Sequence, residues 1–401
     1  MERLVAVAAL LLAGPAVAQT VWIVPPPLLQ PAIDAASPGD ILVLNGATYE
    51  PFTLRKGLTI RGNGSHIDRM FLTNRTTYVS VPAGQIAHFE RVSWTTGYSP
   101  YGNVGTDVSV QPGGGLVRFE QCQFAFSGSG SAVSINGADV TVVRSSIRGF
   151  ATRTATSEGL SVSNSRLTLR DCTVEGANYV YYPNPGPGFY PALPAIRLWP
   201  NSTLHVERTT LKGGDYVGGS PIPGNASEAL RVQASSAWLS DCTLTGGSSN
   251  GGTGGTALVN TGTTPVALRQ TQLIGGTGSP SGGASSGLVD WNAPLVRLAL
   301  LSPWTRGATS TLVLAGDANT PFALWVATDA SATTHSLCVE PLYLVTGVPI
   351  LGGMLDASGG ASIPIAVPAD ASLEHATVWL QAVSGMQLPL RATTIAGGVV
   401  R

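Results

Sequence analysis

One pattern recurs along the middle of this chain: at 132–150 (AVSINGADVTVVRSSIRGF), 159–177 (GLSVSNSRLTLRDCTVEGA), 195–214 (AIRLWPNSTLHVERTTLKGG), 229–247 (ALRVQASSAWLSDCTLTGG) and 257–276 (ALVNTGTTPVALRQTQLIGG). Each copy opens with a small residue and an alternating apolar pair. A polar turn, a second alternating pair, two polar residues and a third pair closing on a small residue follow. The segment 114–126 carries the last two thirds of the pattern, and 87–94 (AHFERVSW) a fainter copy. Alternation of period two predicts strands, and three short strands per repeat describe one coil of a parallel β-helix. A lone coil cannot bury its inward residues, so the coils must stack.

The letters also set a register. Val140/Val142, Leu167/Leu169, Leu204/Val206, Ala237/Leu239 and Val266/Leu268 point inward from the middle strand, and Ile147, Val174, Leu211, Leu244 and Leu273 from the third. Equivalent residues then lie above one another at about 4.8 Å. The repeats start at 132, 159, 195, 229, 257 and 287 while the pattern keeps its length, so the variation falls in the loops after each third strand. Every insertion therefore leaves the rod on one side, where a solenoid tends to carry its binding surface. The Gly/Ser/Thr-rich stretches 246–255 and 275–287 read as mobile loops.

Residues 1–18 combine Arg3, an apolar run from Leu4 to Gly14 and Ala16-Val17-Ala18, the form of a secretory signal. A secreted, periplasmic or cell-surface protein is expected. The apolar run is too short to span a bilayer, and no later segment qualifies. Charged residues make up 11% and the net charge is −1 without a basic run, which argues against a nucleic-acid partner. Four cysteines in such a chain invite a disulfide reading. Cys122, Cys172 and Cys242 hold one coil position, however, and Ser145 and Thr209 fill it on the coils between. Two coil steps, roughly 9.6 Å, exceed the ~7 Å Cα limit for a disulfide. Buried free thiols are predicted, with Cys338 alone in the C-terminal part.

The segment with Ala32-Ile33, Ala36, Gly39-Asp40, Gly46 and Tyr49, followed by KGLTIRG at 56–62, resembles the opening of secreted right-handed β-helix proteins of the pectate-lyase-like superfamily. The resemblance runs over roughly 21–300 as a fold signal, and implies a short helix near 31–36 capping the rod. From about Pro303 the period is lost. Strand-like runs at 311–314, 322–327, 342–345, 363–367, 377–383 and 388–394 predict a small antiparallel β-sandwich. Its stretch VPADASLEHATVWLQAVSG is similar to C-terminal domains appended to exported proteins of planctomycete-type bacteria. The expected organisation is a signal peptide at 1–18, a right-handed parallel β-helix at 19–302 and a β-sandwich at 303–401, an all-β protein.

Enzymes of that superfamily act on acidic polysaccharides with clustered carboxylates, alone or with calcium, and a basic Arg or Lys. The resemblance directs attention to the outward positions of the first strand: Ser134, Ser161, Arg197, Arg231 and Val259. Arg197 and Arg231 on neighbouring coils could clamp a carboxylate, and Glu158 and Glu228 hold matching positions just before their strands. These four are the catalytic candidates, with Glu neutralising Arg as the structural alternative. No acidic triplet and no Asn-Thr-Asp, Asp-Asp and Gly-His-Gly set is present, which weighs against an enzyme. The turn after the second strand (Glu90/Arg91, Glu120, Arg144, Arg170/Asp171, Glu207/Arg208, Asp241, Arg269) mixes signs and reads as a solvated face, each pair worth at most about 1 kcal/mol. The five histidines lack ligand spacing, so no metal and no cofactor is expected.

For binding, the Pro-rich loop 176–194 holds Tyr179, Tyr181, Tyr182, Phe189 and Tyr190, with Asp215 and Tyr216 on the next loop. Trp238 shares the outward slot of the middle strand with His205. Aromatic faces stack on sugar C–H surfaces and phenols add hydrogen bonds, so these are the substrate-binding candidates, against the alternative that they pack on the rod. The expectation is an exported, monomeric, non-catalytic binder of a polysaccharide or cell-surface glycan, or a cell-surface structural protein. The alternatives are a polysaccharide lyase or glycoside hydrolase, and a purely architectural spacer.

Overall fold

Alternation becomes stacked parallel strands in the computed structural model. It describes residues 20–400 except 27, 47, 70–75, 97–102, 105–107, 152–155, 181–190, 218–223, 292–295, 328–336, 339–341, 343–346, 371–372, 374–376, 389 and 394–395. The signal-like segment 1–18 lies outside them. Val140, Leu167, Leu204 and Ala237 pair in register on the middle strands Asp139–Val143, Arg166–Arg170, Thr203–Glu207 and Ser236–Ser240. The third strands align Ile147, Val174, Leu211, Leu244 and Leu273, and the first strands Leu160, Ile196, Leu230 and Leu258. All are buried except Leu273, which is half-buried near the last coil. The rod is a parallel β-helix with one continuous apolar core, and each fully buried Leu, Ile or Val contributes roughly 1.5–3 kcal/mol.

The early coils are filled by rings. Phe89 stacks on Phe119 at 5.0 Å between centroids, and Trp94 on Phe124 at 4.9 Å. A helix over Leu29–Ala35 buries Leu29 and Ile33 against the first end. The Gly39-Asp40 pair has a structural purpose there. Gly39 sits at φ +95°, and the buried Asp40 carboxylate accepts the Thr20 and Ser37 amides at 3.0 and 2.9 Å and the Trp22 indole N–H at 3.1 Å. Burial opposes its charge, but those donors win and hold its pKa below the ordinary value.

The bend between the middle and third strands explains the cysteines. Gln121, Arg144, Asp171, Arg208, Asp241 and Gln270 all lie in the left-handed region, at φ 45 to 54°. The residue after each is Cys, Ser or Thr, and its side chain donates to the carbonyl two residues back. Examples are Ser145 Oγ to Val143 at 2.8 Å, Thr209 Oγ1 to Glu207 at 2.9 Å and Cys172 Sγ to Arg170 at 3.1 Å. The hydroxyl of the next coil accepts the cysteine amide, 3.0 Å for Cys122 on Ser145 and 3.1 Å for Cys172 on Thr209. The thiols stand in for hydroxyls in a bend ladder. Burial pushes Cys122, Cys172 and Cys242 up to about 12, 11 and 11, and none of the four cysteines is in a disulfide. Titration of the denatured, unreduced protein should therefore find four thiols. At neutral pH the native protein should show fast reaction at none of the three, because the thiolate is the reactive form. Two or fewer thiols after denaturation would contradict the register.

Beyond Val289–Asp290 the chain turns antiparallel. One sheet contains Arg297–Leu300, Thr309–Ala315 and Gly360–Ala366; the other contains Pro321–Ala327, Val348–Met354, Thr377–Ser384, Arg391–Ala392 and Ala396–Val399. Leu298, Leu312, Leu324, Ile363 and Leu380 share the core between them, a small β-sandwich. Arg297–Leu300 precedes the expected junction at 303 yet pairs antiparallel with Thr309–Ala315, so this part begins by Arg297. The stretch 302–308, at that expected junction, lies between the two strands of this pair. Val348–Met354 was not anticipated, since Pro349 and Gly352-Gly353 obscure its alternation. Of the expected run 342–345, all but Leu342 lies outside the described residues.

The sandwich covers the outward side of the middle strands. Trp379 is fully buried against Leu116, Ile86 and Trp325, with the Arg118 guanidinium 4.8 Å over its ring, and Arg170 donates to the Leu298 carbonyl at 2.5 Å. The outward row His88, Arg118, Thr141 and Thr168 is consequently only 3 to 5% exposed.

Candidate functional site

With one side of the rod covered, the outward rows of the first strands keep access to solvent. The first row runs Tyr78, Ser109, Ser134, Ser161, Arg197, Arg231 and Val259 in register. Arg197 Nε lies 2.8 Å from Glu158 Oε1, and Arg231 Nε meets Glu228 Oε1. Neither contact has hydrogen-bond alignment, so these are charge pairs whose Nε donors lack an aligned acceptor. The four catalytic candidates thus form one cluster. Burial, then the negative charge of Glu228, outweigh Arg197 and Arg231 and push Glu158 up to about 7. A carboxyl in that range can hold a proton near neutral pH.

The alternation continues two residues further. Trp199 is 37% exposed, donates its indole N–H to Ser161 Oγ at 3.0 Å, and carries the Arg197 guanidinium 5.3 Å from its ring centroid. On earlier coils the strip shows hydroxyls and amides, such as Ser163 donating to Asn136 Oδ1 at 3.1 Å, and ends on Tyr78, 48% exposed. Trp199 was missed in the sequence because only one outward position per strand was considered, and Tyr78 because its row was read only from Ser134 onward. Leu198 pointing inward was the available signal for Trp199 pointing out.

The insertions do emerge together, next to this face, and they stack. Tyr179–Val180 pairs with Tyr216–Val217, the Asp215 amide bonds Asn178 Oδ1 at 2.9 Å, and Asp215 Oδ1 accepts the Ser248 amide at 2.8 Å. Asp215 also holds Lys212 at 2.7 Å. Tyr216 is 4% exposed, packed on Ala192, Ala226 and the backbone of Gly224. Both substrate-binding candidates on this loop are therefore occupied in stacking. Tyr181, Tyr182, Phe189, Tyr190 and the side chain of Tyr179 lie outside the described residues. The glycine stretches are a tight ladder, not loose loops. A Cβ at Gly247 would collide with the Gly214 carbonyl, and one at Gly276 with that of Gly247, so glycine is required there by close approach of layers.

Trp238 stacks on His205 at 4.8 Å and 12° on the covered side. Burial, then the charges of Arg391 and Arg166, push His205 down to about 4. The charged turn beside this row is only in part a solvated face: Arg91, Arg144, Asp171 and Arg208 are exposed, whereas Glu90, Glu120 and Glu207 are buried. Glu120 is 7% exposed and takes His88 at 3.4 Å, Arg118 at 3.1 Å and Arg144, while Arg170 meets Glu207 at 3.0 Å and Arg208 meets Asp171 at 2.7 Å. The covering sandwich, invisible in the repeat, makes the difference. Among the described residues no cluster of His, Cys, Asp or Glu could hold a metal ion, and no helix is long and apolar enough to cross a membrane.

No protein-family model matches the chain, and comparison with curated proteins and with solved structures finds no match.

Proposed function

We propose that this is an exported carbohydrate-binding protein that holds a polysaccharide chain along the first-strand face without cleaving it. One observation carries the reading: the uncovered strip joins the exposed Trp199 indole to the Arg197–Glu158 and Arg231–Glu228 pairs and to a run of hydroxyls and amides on neighbouring coils. An aromatic plane for sugar C–H surfaces, beside charged and neutral hydrogen-bonding groups, is the equipment of a glycan site. The resemblance of the opening segment to the pectate-lyase-like superfamily and the signal-like residues 1–18 support it. Trp199→Ala should weaken retention in affinity electrophoresis by about tenfold, using the roughly 1–3 kcal/mol measured for aromatic stacking on bases. Unchanged retention on every glycan tested would favour the spacer instead.

The Glu158 carboxyl supports one competing reading, a lyase or hydrolase with Glu158 as proton carrier. The pH response separates the two. As pH falls through about 7, Glu158 takes up a proton and the cluster becomes more positive by one charge. A non-catalytic face should bind acidic polysaccharide more tightly as pH falls through about 7, and Glu158→Gln should bind tightly at both extremes with no product formed by either protein. Release of reducing ends or unsaturated sugar by the wild type, lost in Glu158→Gln, would establish the enzyme.

A further inference from the structure

The core of the sandwich does not close. Alternation turns Ile363, Ile365 and Val367 of one side towards Val378, Leu380 and Ala382 of the other. Ile363, Val367, Leu380 and Ala382 are buried, whereas Ile365 and Val378 pack on the same core and are only half-buried, as are Ile350 and Leu373. These last four border a cavity of about 410 Å³ that takes its lining from both sheets. From Ile363 to Pro368 the lining covers five steps of extended chain, about 17 Å, so the space is long. An apolar cavity of this volume lies within the range of small-molecule sites, and it is separate from the first-strand face.

Its chemistry is one-sided. Among the described lining residues none is ionisable, and the polar side chains are those of Thr309 and Trp304. Trp304 is 3% exposed, and its Nε1 has no hydrogen-bond acceptor in the protein. An indole can only donate, and a buried donor without an acceptor bears the whole desolvation cost of the group. Water in the cavity gives poor relief, because a buried water needs two to four polar partners and aliphatic walls supply none. Trp304 also borders the charged space lined by Glu120 and Arg144, so the Trp304 variant below reports which side its donor serves. We propose that the sandwich cavity binds a linear aliphatic molecule bearing one uncharged oxygen, a fatty alcohol or an acyl ester. Its methylenes complete the core beside Ile365 and Val378, and its oxygen accepts the Trp304 indole N–H. A carboxylate fits less well, since a charge in this lining meets no opposite charge.

Calorimetric titration and thermal melting of the full chain test this with hexanol, octanol, decanol and tetradecanol. One-to-one saturable binding with a raised melting temperature is expected. Affinity should rise about fourfold per added methylene and level off once the chain outgrows the cavity. Decanoate should bind at least tenfold more weakly than decanol. Trp304→Phe should weaken decanol binding about fivefold, the worth of one neutral hydrogen bond. Ile365→Trp and Val378→Phe, on opposite sheets with open space before them, should each remove binding without lowering the melting temperature; if one fails to fold, the other decides. Trp199→Ala on the first-strand face should leave decanol binding unchanged. Flotation with phosphatidylcholine vesicles separates the sources. Decanol binding without flotation assigns the cavity to a free alcohol or ester, and flotation lost in Ile365→Trp assigns it to the acyl chain of a bilayer lipid. No saturable binding of any alcohol, wild-type affinity in Trp304→Phe or in a folded filling variant, or decanoate binding as tight as decanol overturns the proposal.

Discussion

Leu169→Asp should yield no folded rod. Leu169 is wholly buried and in register with Val142 below and Val206 above, so a carboxylate there has apolar neighbours on both coils. The variant loses the burial of a leucine, roughly 1.5–3 kcal/mol, and adds an unpaired buried charge worth several more. The sum is comparable to the whole stability of an ordinary domain, about 5–15 kcal/mol. Coils above and below lose their shared core with it, because each coil is buried only by its neighbours. Thr173→Asp, four residues on and exposed, should fold as the wild type does. Circular dichroism and yield of soluble protein decide. A soluble Leu169→Asp with an unchanged melting curve would mean that the coil register is wrong.

Glu120→Leu should cost about 3–5 kcal/mol, the usual result of removing one partner from a buried pair. Arg118 is 4% exposed beneath Trp379, and loss of Glu120 leaves its guanidinium against an aromatic ring without the carboxylate at 3.1 Å. The pH dependence has a definite sign. Burial opposes ionisation of Glu120, but His88 at 3.4 Å and the charges of Arg118 and Arg144 hold its carboxyl far below the ordinary range. A depressed carboxyl stabilises the fold fully above its unfolded pKa, ordinarily about 4.3, and that contribution drains away as pH falls towards the folded value. The wild type should therefore lose stability on acidification below about pH 4 through this group, and Glu120→Leu should lack that part of the slope. Urea melts at neutral and acid pH measure both. Equal midpoints in the two proteins would show that the network contributes nothing to docking.

The inside of the rod was legible because period two leaves no freedom. A slip of one residue would turn Leu167 and Leu169 to solvent and Thr168 to the core, so the letters alone select the register. The thiol prediction rested on the same ground, although the hydrogen-bonding role of Cys122, Cys172 and Cys242 emerged only from the bend geometry. Arg197, Arg231, Glu158 and Glu228 could be brought together from sequence because equal positions on stacked coils become neighbours. Trp199 was within reach of the same rule.

What alternation cannot express is what lies over an outward residue. Arg118, Glu120 and His88 carry the letters of a solvated face, and only the position of Trp379 and Leu298, some 180 to 290 residues later, makes them a buried network. Glycine composition is equally silent. It reads as mobility in isolation, but the carbonyl of Gly214 against Gly247 turns it into a demand for close packing. The sequence by itself determined the coil, its register and its apolar interior, since those follow from local alternation repeated at neighbouring heights. The tertiary structure alone decided which faces remain open and which charges are buried, since those depend on contacts between segments that share no periodicity.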